Sequence, residues 1–183
     1  MTIRIDNRRD VLLLLLYAPG VDEKINELIV GHTRMAKMVF LFKMEALRYF
    51  RSETEIREAN FYEFVPWYYG PFSTQVYDDL TFFALGGFIE AEDTTEDALP
   101  ESAAEWEQWL TSSTVEDEED GFSSYEEQQF RLTDKGVKFA EQLYNGLGQS
   151  QRERLKQFKR RLNQTPLRAI LRYVYEKYPD QKK

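Results

Sequence analysis

The sequence predicts a helix-rich α+β fold, and three observations predict it. Apolar residues recur at helical spacing in long stretches such as "VLLLLLYA" (Val11 to Ala18) and "MAKMVFLF" (Met35 to Phe42). Two short runs, "FIEAE" (Phe88 to Glu92) and "QQFRL" (Gln128 to Leu132), read as strands bounded by turn or cap residues. A hydrophobic share of 42% with 15% aromatic residues is enough to build one sizeable core from 183 residues.

Each element follows in order. Asp6 or Asn7 can cap a first helix that ends near Tyr17, before the Pro19-Gly20 break. That run is too short to span a bilayer, and the charged "VDEK" after it replaces the small residues of a cleavage site. It reads as a buried first helix, in a protein with no membrane partner. A second helix is expected from Thr33 to Phe50, apolar over much of its circumference and therefore central. "FYEFVPWYY" is extended, and Pro66 confines it to a sheet edge or an irregular strand. Gly70 can take a positive φ, Pro71 fixes a turn, and Ser73 caps a helix from Thr74 to the Gly86-Gly87 stop. A long acidic insert follows over 91–127. Within it "PESAAEWEQWL" puts Ala103, Trp106, Trp109 and Leu110 on one helical face. "FRLTDKG" turns a strand into a helix at Thr133. Two last helices are expected over Ser150–Leu162 and Pro166–Tyr178.

The order helix, helix, strand, helix, strand, insert, strand, helix matches a winged helix-turn-helix with an acidic insert in its wing. The domain reading is 1–148 for that unit and 149–183 for a basic, helical C-terminal extension. Charge divides the same way. Glu90 to Glu127 carries fifteen acids and no base, and Gln149 to Lys183 carries eleven bases against three acids, within a net charge of −8.

The residues exclude more chemistry than they suggest. With no cysteine there is no disulfide or thiolate chemistry, which fits a cytoplasmic location. His32 is the sole histidine and no nucleophile motif accompanies it, so it reads as a cap rather than a base. The turn at Gly70 lacks the glycines and lysine of a phosphate loop. The acidic runs lack the alternating spacing of a calcium loop. The expectation is a non-enzymatic protein without cofactor or metal.

Two groups are candidates for partner binding. Trp106 and Trp109 are hot-spot residues if exposed and core residues if docked. On the helix "SQRERLKQFKRRLN", an apolar seam of Leu155, Phe158 and Leu162 leaves Arg152, Lys156, Lys159, Arg160 and Arg161 for an acidic counterpart. The alternative is duplex DNA. There Ser73, Thr74, Gln75 and Tyr77 begin a recognition helix, and Arg34 and Lys37 hold phosphates. Asp78 and Asp79 on that helix oppose a phosphate backbone, which places DNA second.

"GHTRMAKMVFLF", "WYYGPFSTQVYDDL" and "FRLTDKGVKFA" together resemble the Panacea family, the SocA-like antitoxin domains, and the related YwgA-like winged-helix proteins. Their usual Gly-Arg-x-x-Leu-Gln-Lys-x-x-Phe-Leu stretch is matched at Lys37, Phe40 and Leu41. His32, Met35 and Ala36 stand where Arg, Leu and Gln are usual. The resemblance runs from Gly31 to about Leu143, interrupted by the insert. It implies a non-catalytic winged-helix protein that neutralises a toxin or acts as a regulator or adaptor. The partner is then another protein, a toxin or a defence-system component, and homo-oligomers are compatible with it.

Overall fold

The structure, a computed structural model, describes residues 5–50, 58–96 and 125–181. It is helix-rich, with one small antiparallel sheet. Helix α1 (Arg8–Tyr17) begins at Asn7, whose side chain accepts from Arg9 and Asp10 N–H while Asp10 accepts from Asn7 N–H. Val11 to Ala18 are all buried, so α1 runs through the core rather than over its surface. It packs against helix α4 (Asp134–Asn145) and strand β3 (Tyr125–Leu132). No described helix is long and apolar enough to cross a membrane.

Strand β1 (Ile29–Val30) lies on one side of β3 and β2 (Ile89–Glu96) on the other, giving the antiparallel order β1-β3-β2. Ile29 faces Phe130, and the hairpin runs in register from Ile89↔Leu132 to Glu96↔Tyr125. Strand β2 is longer than "FIEAE" suggests. Arg131 crosses to Glu90 at 2.9 Å and to Glu92 at 3.2 Å, so a cross-strand cation offsets the carboxylates. Both ends of the acidic stretch, through Glu96 and from Tyr125, belong to the sheet. Residues 97–124, with Trp106 and Trp109, lie outside the described residues.

The Thr133 corner explains its motif residue by residue. Leu132 enters the core, and the Thr133 hydroxyl caps α4 by accepting from Gly136 N–H at 3.1 Å while donating to Gly87 O at 2.7 Å. A Cβ on Gly136 would stand 2.0 Å from Phe88 O, so the helix can leave the strand at this angle only without one. Asn26 pins the preceding loop by accepting from Leu132 N and donating to Leu132 O, at 2.7 and 3.0 Å.

Helix α2 (His32–Leu41) continues as a π-helical turn over Phe42–Ala46 and a 3₁₀ turn over Leu47–Tyr49, filling the span expected of one helix. Helices α5 (Gln149–Gln164) and α6 (Leu167–Lys177) complete the chain. Leu155, Phe158, Leu162, Ile170 and Val174 sit in the same core as α1 and α2. The basic C-terminal segment is thus built into the core rather than appended to it.

Candidate interaction surface

The aromatic stretch before α3 (Thr74–Leu85) does not join the sheet. Phe61 and Tyr62 are buried, after which the chain turns outward and returns through an isolated bridge, Val65 and Phe72 exchanging two 2.9 Å backbone hydrogen bonds. Pro66, with no N–H to give, fits an irregular segment outside the sheet's ladders. Gly70 closes the loop at φ 80°, donating to Trp67 O at 3.0 Å, so the expected positive φ is present.

Two elements hold this turn from beneath. Lys37 of α2 donates from Nζ to Pro71 O at 2.9 Å, and the Tyr175 hydroxyl of α6 donates to Tyr68 O. Tyr69 joins Leu167, Leu171 and Tyr175 in a small apolar cluster on the same side. Above that support, Val65, Trp67 and Tyr68 stand 53%, 41% and 54% exposed.

The rings form a ladder. Tyr68 meets Trp67 at 5.7 Å, Trp67 meets Phe72 at 5.7 Å, Phe72 meets Tyr77 at 5.3 Å, and Tyr77 stacks on His32 at 5.1 Å and 11°. His32 then meets Phe130 of the core edge-on at 4.9 Å. The sole histidine is thus the foot of an aromatic stack at the start of α2.

The residues expected to face DNA fall in different places. Lys37 is 3% exposed beneath the turn, and burial lowers its amine to about 7. Ser73 is at the N-cap of α3 but makes no capping bond, and its hydroxyl is buried without a partner among the described residues. Arg34 donates to Leu162 O and Thr165 O at 2.5 and 2.7 Å, where α5 ends. Gln75 accepts from Glu63 N–H at 2.9 Å. Thr74 is exposed, and Tyr77 lies in the ladder.

Asp79 corrects a further expectation. It does not face outward with Asp78. Its side chain is 1% exposed and takes Arg8 at 2.9 Å, Arg9 at 2.8 Å and the Tyr62 hydroxyl at 3.0 Å. Burial alone would raise this carboxyl; the hydrogen bonds from Arg8, Arg9 and Tyr62 hold it below the usual carboxylate range. The signal was available, because Val76, Asp79, Leu80 and Phe83 share one helical face and all are buried.

The basic helix divides likewise. Lys159 is fully buried, donating to Leu16 O at 2.6 Å near the end of α1, and burial lowers its amine to about 7. It cannot contact a partner from there, which corrects that assignment. Lys156 and Arg160 reach Glu23 at 3.5 and 3.4 Å, and Arg161 reaches Glu45 at 3.3 Å. Arg152 is half-buried, its Nε without a hydrogen-bond partner among the described residues. The five cations do not form one patch.

Glu45, on the π-helical turn, was not singled out in the sequence. It accepts from the Tyr173 hydroxyl at 2.6 Å, Lys177 at 2.9 Å and the Tyr178 hydroxyl at 3.1 Å, tying α2 to α6. Burial would raise its carboxyl, but the hydrogen bonds from Tyr173, Lys177 and Tyr178 hold it lowered. Among the described residues, no three His, Asp or Glu side chains gather as a metal site. No protein-family model matches the chain, and neither the curated proteins nor the solved structures give a match.

Proposed function

We propose that this chain is a non-catalytic winged-helix interaction protein, antitoxin-like or regulatory, that acts by binding a partner protein stoichiometrically. The element order α1-β1-α2-α3-β2-β3 with sheet order β1-β3-β2 supports the fold: α2 and α3 take the helix-turn-helix positions and the β2–β3 hairpin the wing. The resemblance of Lys37, Phe40, Leu41 and the Tyr-Gly-Pro-Phe-Ser turn to the Panacea family supports the same assignment.

One observation carries the functional part. An exposed Trp67–Tyr68 pair stands on a turn held from below by Lys37 and Tyr175. Large aromatic side chains on a prearranged support lose little conformational freedom on binding, and Trp and Tyr dominate interface hot spots. The DNA alternative loses Lys37 and Ser73 to the interior, and Arg34 is committed to the end of α5.

The test is affinity capture of a tagged chain from its native host, followed by calorimetry with the purified captured protein. A one-to-one or other fixed stoichiometry that weakens in Trp67→Ala is expected. Absence of any protein partner, together with nanomolar sequence-specific duplex binding in a gel-shift titration, would replace this reading with a DNA-binding regulator.

A further inference from the structure

We infer that the outward face of α3 pairs with the same face of a second copy of this chain, forming a two-fold dimer through Phe82 and Leu85. The inference goes beyond the partner-binding reading above and uses a different surface.

The C-terminal half of α3 is open. Phe82 and Leu85, three positions apart and so on one side of the helix, are 50% and 86% exposed. Thr81 and Ala84 beside them are exposed as well, and Leu85 is the most exposed large apolar side chain among the described residues. Phe82 is already set in place. The Arg9 guanidinium lies over its ring at 4.1 Å and is itself held by Asp79 at 2.8 Å. Covering this pair removes apolar surface from water with one of the two side chains already ordered.

Charge says what covers it. One turn before Phe82, Asp78 is exposed on the same stripe. One turn after it, the Lys135 amine donates to Gly86 O at 2.8 Å and lies over the Phe88 ring at 4.2 Å. Neither Asp78 nor Lys135 makes an ion pair among the described residues. The stripe thus carries an unanswered anion at one end and an unanswered cation at the other, each ~6 Å along the axis from Phe82. A two-fold axis through Phe82 lays the second α3 antiparallel to the first and exchanges those ends. Asp78 of each copy then meets Lys135 of the other, and Leu85 seats between the Asp78 and Phe82 stems opposite. An anionic membrane or a nucleic acid would instead meet Asp78 on the same stripe, on a chain of net charge −8. One helix face offers less than the ~800 Å² per partner of a standard stable interface, so the dimer is expected at micromolar concentration.

The experiment is sedimentation velocity of the full chain, from low micromolar to millimolar concentration. A reversible monomer–dimer equilibrium that weakens as salt rises is expected. Leu85→Asp should leave a monomer at unchanged melting temperature. Asp78→Lys and Lys135→Asp should each weaken the dimer about tenfold or more. Mixed together, those two single variants should associate with each other, because each then presents the charge the other lacks. The double variant should return to within about threefold of the wild type. A chain monomeric throughout, a dimer indifferent to Leu85→Asp, or charge variants that fail to complement would each overturn the inference. So would a monomeric chain whose captured partner needs Leu85, since the face then belongs to that partner. None of these outcomes depends on Trp67, so failure here leaves the partner-binding reading standing, and loss of that reading leaves the dimer to be judged on its own.

Discussion

Asp79 and Lys159 are equally hidden, at 1% and 0% exposure, yet the molecule treats them in opposite ways. Asp79 is surrounded by two guanidinium groups and a phenol, and stays ionised. Lys159, like Lys37, has one backbone carbonyl as its hydrogen-bond acceptor, and its ammonium loses its proton near neutrality. Burial sets the cost of a charge in both places; the partners decide whether it is kept. The first arrangement ties α1 to α3 through a charge, and the second fixes the end of α1 and the Gly70–Pro71 turn with what becomes a neutral amine.

The largest expected effect comes from breaking the paired site. Asp79→Ala leaves the Tyr62 hydroxyl buried without its acceptor and two arginines without their counter-ion, and should cost about 3–5 kcal/mol. The lower end is expected, because Arg8 and Arg9 still reach water at 29% and 42% exposure. Chemical denaturation with and without the change measures it, and a loss below that of an ordinary surface substitution would show that Asp79 is not the tie described.

The pH dependence sharpens the contrast next. Lys37 and Lys159 have folded values of about 7 against 10.5 when unfolded, so between those limits the folded chain holds fewer protons. Stability should therefore rise from neutral pH towards 10.5, by on the order of a few kcal/mol for the pair. Lys37→Met with Lys159→Met should abolish that rise and leave stability at neutral pH equal or higher. Asp79 and Glu45 have lowered folded values, so their contribution is present above the unfolded carboxylate range and lost as pH falls below it, through the lowered folded values. A denaturation midpoint that falls between pH 7 and 10 would contradict the assignment of the two lysines.

A smaller effect is expected above Lys37. Gly70→Ala puts a side chain at φ 80° with the new Cβ 3.3 Å from Lys37 Cε and 3.5 Å from Tyr175, for a loss of about 1 kcal/mol or more. Thermal melting reads it, and an unchanged melting temperature would mean that the turn is not strained by a Cβ. The smallest belongs to charges left in water. Arg131→Ala removes its exposed contacts with Glu90 and Glu92, and chemical denaturation should show no more change than for an ordinary surface substitution.

Much of the fold was legible because its signals are local. The Asn7 cap, the positive φ of Gly70 and the Thr133–Gly136 corner each rest on residues within a few positions of one another. Asp79 was legible in principle, since its phase on α3 matches that of Val76 and Phe83, but the neighbouring Asp78 disguised it as half of an exposed pair. The burial of Lys159 was not legible. A run of bases predicts a solvated face, and only the tertiary approach of α1, 143 residues away, supplies the Leu16 carbonyl that holds it. The ring ladder needs His32 of α2 beside Tyr77 of α3, a meeting that no spacing encodes. Strand β1 is two residues long, too short for any alternation to announce it.

The hairpin register carries a practical corollary. Because Glu96 pairs with Tyr125, the chain leaves the sheet and re-enters it at directly opposed positions, about 5 Å apart. Such a doorway accepts cargo of almost any length, since lengthening a closed loop costs only about 0.6 kcal/mol per doubling. Residues 97–124 should therefore be exchangeable for a short Gly-Ser connector, an epitope or a fluorescent reporter. The β2–β3 pairing, read by amide exchange at Thr133, whose N–H donates to Phe88 O, should be left intact.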